Sequence, residues 1–123
     1  MSILTGKTAE KFASSFLKKN GFKDIKLNYR SKFGEIDIIA CDRDVLCFIE
    51  VKFRKNRNYG LPEEFVDIKK QKKIVKTALC YIAEKKIDDM NFRFDVVAVE
   101  PGENGKLNAR LIKNAFEASL YDN

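Results

Sequence analysis

Two short runs, residues 35–41 and 45–54, limit most strongly what this chain can become. Both are rich in β-branched and aromatic side chains, and the turn-forming cluster Asp42-Arg43-Asp44 separates them, which predicts an antiparallel hairpin. Strand side chains alternate between faces. Glu50 and Lys52 therefore share one face, Ile49 and Val51 take the other, and Asp37 is flanked by Ile36 and Ile38 in the same way. A loop over residues 42–45 sets Cys41 opposite Leu46, Ile39 opposite Phe48, Asp37 opposite Glu50 and Glu35 opposite Lys52. That register gathers the charged side chains on one face at one end, and leaves Ile36, Ile38 and Ala40 to share the other with Cys47, Ile49 and Val51. A slip of one residue would set Asp37 against Ile49 and Ile36 against Glu50.

Two carboxylates placed opposite each other repel. A divalent cation is the simplest offset, and oxygen ligands of this kind suit Mg²⁺ or Mn²⁺ with waters and a substrate phosphate completing the shell. Such an ion lowers the pKa of its water and steadies charge on a phosphate oxygen. Lys52 is placed to orient the attacking water or to neutralise charge in the transition state. The same spacing also describes polar residues on a half-solvated sheet, with Lys52 paired to Glu35 and Glu50. Glu10 lies beside the apolar stripe of a first helix. It can point across to the acid pair, or simply be an acid favoured by the helix N-terminus. Gln71 continues the apolar stripe of a second helix, where an amide needs a partner. It can contact the metal site or the substrate backbone, or stand in water on a fraying first turn.

The rest of the chain supplies the elements around the hairpin. Ala9, Phe12, Ala13, Phe16 and Leu17 have helical spacing, and Gly21 is a stop. A strand is predicted over 25–29 and a turn over 31–34. A polar, basic loop follows over 54–60, and Pro62 opens a helical region with Glu63 and Glu64 beside it. The second helix runs over 68–85 and buries Ile74, Val75, Ala78, Leu79 and Ile82. Strands follow over 92–98 and 107–112, with a turn at 101–105 and a short closing helix over 115–121. Strand, helix, strand in the middle requires a crossover, right-handed by the general rule. The expectation is an α/β fold, a mixed sheet covered by helices, in one domain spanning residues 1–123.

Composition narrows the chemistry. There is no His and no Trp, which removes Ser-His-Asp and Cys-His catalysis and His-containing zinc sites, and 3 Cys cannot form a Cys₄ site. Cys41, Cys47 and Cys80 are odd in number and irregular in spacing, as expected of small buried hydrophobes in a reducing compartment. No signal peptide and no membrane-spanning run is legible, so a soluble cytoplasmic protein is expected. The net charge of +6 and pI near 9.2 favour a polyanionic partner. Lys69, Lys72, Lys73 and Lys76 fall on the outer face of the second helix, with Lys70 at its boundary. Arg54 and Arg57 lie in the loop that leaves the Glu50 strand, and Tyr29, Arg30 and Phe33 precede the Asp37 strand. Such cations hold phosphates, and aromatic rings among them can stack on bases.

Gly34-Glu35-Ile36-Asp37-Ile38-Ile39-Ala40, then Phe48-Ile49-Glu50-Val51-Lys52-Phe53-Arg54, Lys70-Gln71 and Arg93-Phe94-Asp95-Val96-Val97 resemble the YraN-like family of small bacterial proteins. The likeness runs from Gly6-x-x-x-Glu10 to Ala115-Phe116. That family resembles the PD-(D/E)xK nuclease superfamily and is similar in plan to archaeal Holliday-junction resolvases. The resemblance implies a restriction-endonuclease-like αβββαβ core, with Asp37, Glu50 and Lys52 as the D…ExK site. It implies Glu10 as the first-helix acid, Gln71 as the helix polar residue, and Lys70 just before it. The chain departs from common members at Phe53, where a small or polar residue is often found. The expected function is a Mg²⁺- or Mn²⁺-dependent endonuclease acting on DNA, rather than RNA, of branched or damaged structure. Asp37, Glu50 and Glu10 would hold the metal, and Arg54, Arg57, Lys70 and Arg30 would bind the nucleic acid. A symmetric homodimer would suit cutting of two strands. The alternative is a non-catalytic nucleic-acid-binding or assembly protein that keeps the fold.

Overall fold

A computed structural model describes residues 6–54 and 66–117. Helix α1 (Gly6–Lys19) carries Ala9, Ala13 and Leu17 on its buried stripe, and Lys18 and Lys19 sit at its negative end. It closes where Gly21 takes φ +89° and the Phe22 amide returns to Leu17 O at 3.0 Å, so glycine's freedom is used here. Strands β1 (Lys23–Ser31), β2 (Gly34–Asp42) and β3 (Val45–Phe53) follow, then helix α2 (Ile68–Glu84), then β4 (Asn91–Pro101) and β5 (Leu107–Phe116). The strands form one sheet in the order β1-β2-β3-β4-β5. Only the β3–β4 pair is parallel, and α2 is the crossover it requires.

The αβββαβ order expected from the sequence is therefore the order of the fold. The hairpin register is also as expected, with Asp42↔Val45, Cys41↔Leu46, Ile39↔Phe48 and Ile38↔Ile49 paired around a two-residue turn. That turn is possible because Arg43 adopts φ 59°. Two hydrophobic layers hold the sheet. Under α1 lie Ile38, Ala40, Cys47, Ile49, Val97 and Val99; under α2 lie Ile39, Leu46, Phe48, Phe94, Val96 and Ala98. Phe94 stacks between Phe48 (centroids 5.6 Å) and Phe116 (5.0 Å) at the centre of the second layer.

Four expectations are corrected. Ala115 and Phe116 belong to β5 and not to a closing helix, because Phe116 pairs with Phe94 across a bulge and fills the α2-side core; residues 118–121 lie outside the described residues. Leu79 is 50% exposed, and Thr77 and Tyr81 take the buried places on α2. Tyr81 does so by meeting Tyr29 and Phe48 edge-on. Ile36 joins the α2-side layer and not the Ile38 face. Glu35 pairs with Arg30 at 3.6 Å and not with Lys52. The last two share a cause: the β2–β3 ladder ends at Ile38↔Ile49, so the pleat of β2 no longer governs the residues before it. The segment 61–64 lies outside the described residues.

Candidate functional site

Where the ladder ends, the next backbone bond is replaced by a side chain. The Val51 amide donates to Asp37 Oδ2 at 2.8 Å. Asp37 thus stands where β2 parts from β3, beside Glu50. Burial is the main cause that raises the Asp37 carboxyl far above the usual carboxylate range; its hydrogen bond and charge contact with Glu50 push the same way, the Val51 amide opposes, and the Glu10 charge adds a little. Two acids this close cannot both be charged without a compensating cation.

Glu50 is 3% exposed, which is costly for a carboxylate unless it is paired. Two ammonium groups face its Oε2. Lys52 Nζ lies at 3.6 Å, two residues along β3, and Lys70 Nζ reaches in from the first turn of α2 to form a close ion pair. Neither gives Oε2 a well-aligned hydrogen bond, so this oxygen is buried and held by charge alone. Burial and the neighbouring Lys70 charge lower the Lys52 pKa despite Glu50. Burial pulls on Lys70 too, but the Glu50 carboxylate overcomes it and holds that ammonium above its ordinary value. Lys70 is anchored by its backbone, because Asp67 caps α2 and its Oδ1 accepts from the Lys70 amide at 2.8 Å.

The other expected residues are distributed as follows. Glu10 is held by Asn28 Nδ2 at 2.7 Å, at the edge of the acid pair rather than within it. Among the described residues, no three acidic or thiol side chains converge closely enough to hold a metal ion together. Gln71 turns back, its Nε2 donating to Val66 O at 2.8 Å, and so ties the chain entering α2 to the helix. Arg54 is half-buried at the end of β3, its amide bonded to Val99 O at 2.9 Å. Arg30 is 78% exposed and Arg57 lies outside the described residues. Tyr29 is committed to the protein, its hydroxyl donating to Glu84 Oε2 at 2.5 Å.

Asn28 was missed by the sequence reading. It takes φ 55°, a left-handed conformation that Asn tolerates better than most residues, and this turns its amide toward Glu10. An Asn inside a short β-rich run was the available signal, since Asn is depleted in strands. The three thiols are all free, and burial, reinforced by Asp95, pushes the Cys47 thiol up to about 12. No helix among the described residues is long and apolar enough to cross a membrane.

A five-stranded mixed sheet flanked by two helices, in αβββαβ order, is an α/β fold consistent with a nuclease-like core. Residues 9–99 match the Uncharacterised protein family UPF0102, and the chain belongs to that family. It is 46% identical to the UPF0102 protein of Symbiobacterium thermophilum over 118 residues, covering 96% of this chain and 100% of the relative. It is also 46% identical to a UPF0102 protein of Syntrophus aciditrophicus over 116 residues, 94% of this chain and 91% of the relative. The UPF0102 protein of Clostridium acetobutylicum is 43% identical over 113 residues, 91% and 93% of the two chains.

Proposed function

We propose that this chain is a metal-dependent endonuclease acting on DNA, with branched or damaged structures as its substrates. The observation that carries the reading is the juxtaposition of Asp37 with the buried Glu50, with Lys52 beside them. A structural ion pair does not need a second acid in the same place. Glu50 Oε2, buried without an aligned hydrogen bond, and Asp37, raised by its neighbour, are donors that a hard cation would satisfy. Asp37 and Glu50 would hold Mg²⁺ or Mn²⁺. When bound, the ion supplies an activated water and charge stabilisation on the phosphate. Lys52, its proton loosened by burial and by Lys70, orients the attacking water or steadies the developing charge. Glu10, fixed by Asn28, adds negative charge at the rim. Arg30, Arg54 and Lys70 would bind the flanking phosphates.

A second reading has one observation in its favour. Lys70 occupies the Glu50 carboxylate as a cation of its own, so the site is already neutralised without metal. On that reading the chain is a non-catalytic nucleic-acid-binding or assembly protein that retains the nuclease fold. The two are separated by incubating linear, flapped and four-way DNA with the protein, with and without Mg²⁺ or Mn²⁺. Metal-dependent products on any of these support the nuclease; binding without cleavage on all of them, and no rise in melting temperature with Mn²⁺, overturns it in favour of the second reading.

A further inference from the structure

The hairpin turn between β1 and β2 presents an aromatic ring in a setting of fixed cations. Phe33 is 37% exposed. Exposed single aromatics are ordinary; the surroundings of this one are not. Lys32 Nζ and Lys76 Nζ lie 5.3 Å and 5.6 Å from its ring centroid, within cation–π range. The turn is rigid. Ser31 Oγ accepts from the Phe33 amide at 3.0 Å and is itself bonded to Thr77 Oγ1 at 3.1 Å, which docks the turn on the middle of α2. Gly34 follows at φ 156°, with Lys73 Cβ and Thr77 Oγ1 each 3.6 Å from where a Cβ would stand. The backbone therefore leaves the ring little freedom to fold away.

The charge around the ring has one sign. Lys69, Lys73 and Lys76 are exposed on α2, Lys32 on the turn and Arg30 near the end of β1, where it pairs with Glu35. The turn and the acid pair face the same helix: Gly34, next to Phe33, lies against Lys73 and Thr77, and Lys70, one turn before Lys73, holds Glu50.

We infer that Phe33, with Lys32 and Lys76, is a stacking platform for an unpaired DNA base beside the Asp37–Glu50 site. Stacking needs a base free of its neighbours, so this platform selects single-stranded or distorted DNA over continuous duplex. The inference deepens the proposed function and rests on its DNA substrate, but not on turnover.

The test is done in EDTA, where cleavage plays no part. Fluorescence anisotropy compares wild type, Phe33→Ala, Phe33→Tyr and Lys76→Gln on labelled single-stranded, flapped and duplex oligonucleotides at several salt concentrations. Phe33→Ala is expected to weaken single-stranded and flap binding by about 5- to 100-fold with an unchanged salt slope, and to leave duplex binding as it was. Phe33→Tyr should restore the affinity, and Lys76→Gln should reduce the salt slope. Phe33→Trp provides a direct readout, since the chain contains no other Trp: its fluorescence should be quenched by single-stranded DNA and not by duplex. Equal affinity of Phe33→Ala and wild type for every DNA, or equal loss on duplex and single strand, overturns the platform. If wild type never cleaves but the Phe33 effects are present, the nuclease reading fails and the platform stands. If cleavage is metal-dependent and the Phe33 effects are absent, the reverse holds.

Discussion

Asp37 and Glu50 lie in contact, with both Lys52 and Lys70 turned toward Glu50. The two acids differ in what replacement should do. Asp37→Asn keeps an oxygen for the Val51 amide and gains an N–H for Glu50, so the shape of the site survives while the like-charge contact disappears. Metal-dependent cleavage should be lost, and the metal-free protein should melt at an equal or higher temperature, by roughly 4 °C for each kcal/mol of repulsion relieved. The sign of the pH dependence follows from the same contact. A carboxyl whose folded pKa is raised binds its proton more tightly when folded, so the stability it contributes is present at acid pH. That stability is lost as pH climbs from the ordinary Asp value through the raised one. Thermal melts of metal-free wild type should show that fall, and Asp37→Asn should flatten it; a steep fall in both would place its origin elsewhere. Lys70→Ala acts in the opposite sense. It removes a cation that competes with metal, so the protein should lose metal-free stability yet gain a larger melting-temperature rise with Mn²⁺. A Mn²⁺ shift no larger than that of wild type would mean that Lys70 and the ion do not share a place.

At the scale of elements, α2 carries the site's second cation, so its N-terminus sets the geometry. Asp67→Ala removes the side-chain acceptor for the Lys70 amide and should cost about 1 kcal/mol in urea unfolding. Asp67→Asn should restore most of it. A cost near zero would mean that Gln71, bonded to Val66 O, fixes the first turn unaided. The elements also differ in how much of them could be read beforehand. The β2–β3 register was legible because a short loop and a period-2 pattern leave one pairing that gathers the charged side chains on one face at one end. That logic failed at Ile36 and Glu35, beyond the ladder's end, where β2 is governed by Tyr29 and Arg30 of β1 instead. Leu79 was assigned to the core by hydrophobicity, but a stripe on α2 has room for Tyr81, whose body packs on Phe48 while its hydroxyl meets Lys26 at 2.8 Å. The closing helix was a misreading of Ala115-Phe116, whose strand character comes from a partner more than twenty residues earlier, Phe94. Of the site, the D…ExK trio was visible as pattern. The grip of Asn28 on Glu10 and of Lys70 on Glu50 was not, because both arise from contacts between elements far apart in sequence.

Across the whole molecule, charge is divided between the two ends of the sheet. At the hairpin-turn end, Arg93 on β4 donates to Asp42 Oδ2 at 2.9 Å and to both oxygens of the fully buried Asp95 at 2.9 and 3.0 Å, while the Asn114 amide closes the shell at 3.0 Å. Burial raises the Asp95 carboxyl, and Arg93 works against that rise; the same guanidinium holds Asp42 below its ordinary range. This cluster joins β2, β4 and β5 at the end of the sheet opposite the candidate site. Arg93→Ala should cost about 3–5 kcal/mol, since it leaves a buried carboxylate unpaired, and DNA affinity per folded molecule should be unchanged. Denaturant titration with a parallel binding assay checks both halves. Because Asp42 is depressed, its share of the stability is present above the ordinary Asp pKa and lost as pH falls through the lowered one, and Asp42→Asn should lessen the protein's sensitivity to acid.

The end of the β2–β3 ladder has a spectroscopic consequence. Val51 gives its amide proton to the Asp37 carboxyl and not to a backbone carbonyl, so this one backbone resonance reports on a side chain of the site. Its proton shift should follow the protonation of Asp37, collapse toward the ordinary strand range in Asp37→Ala, and move when Mg²⁺ is added, while the amides of Ile38 and Ile49 inside the regular ladder stay still. A single cross-peak in a ¹⁵N spectrum thus reads the charge state of the site without substrate, label or turnover.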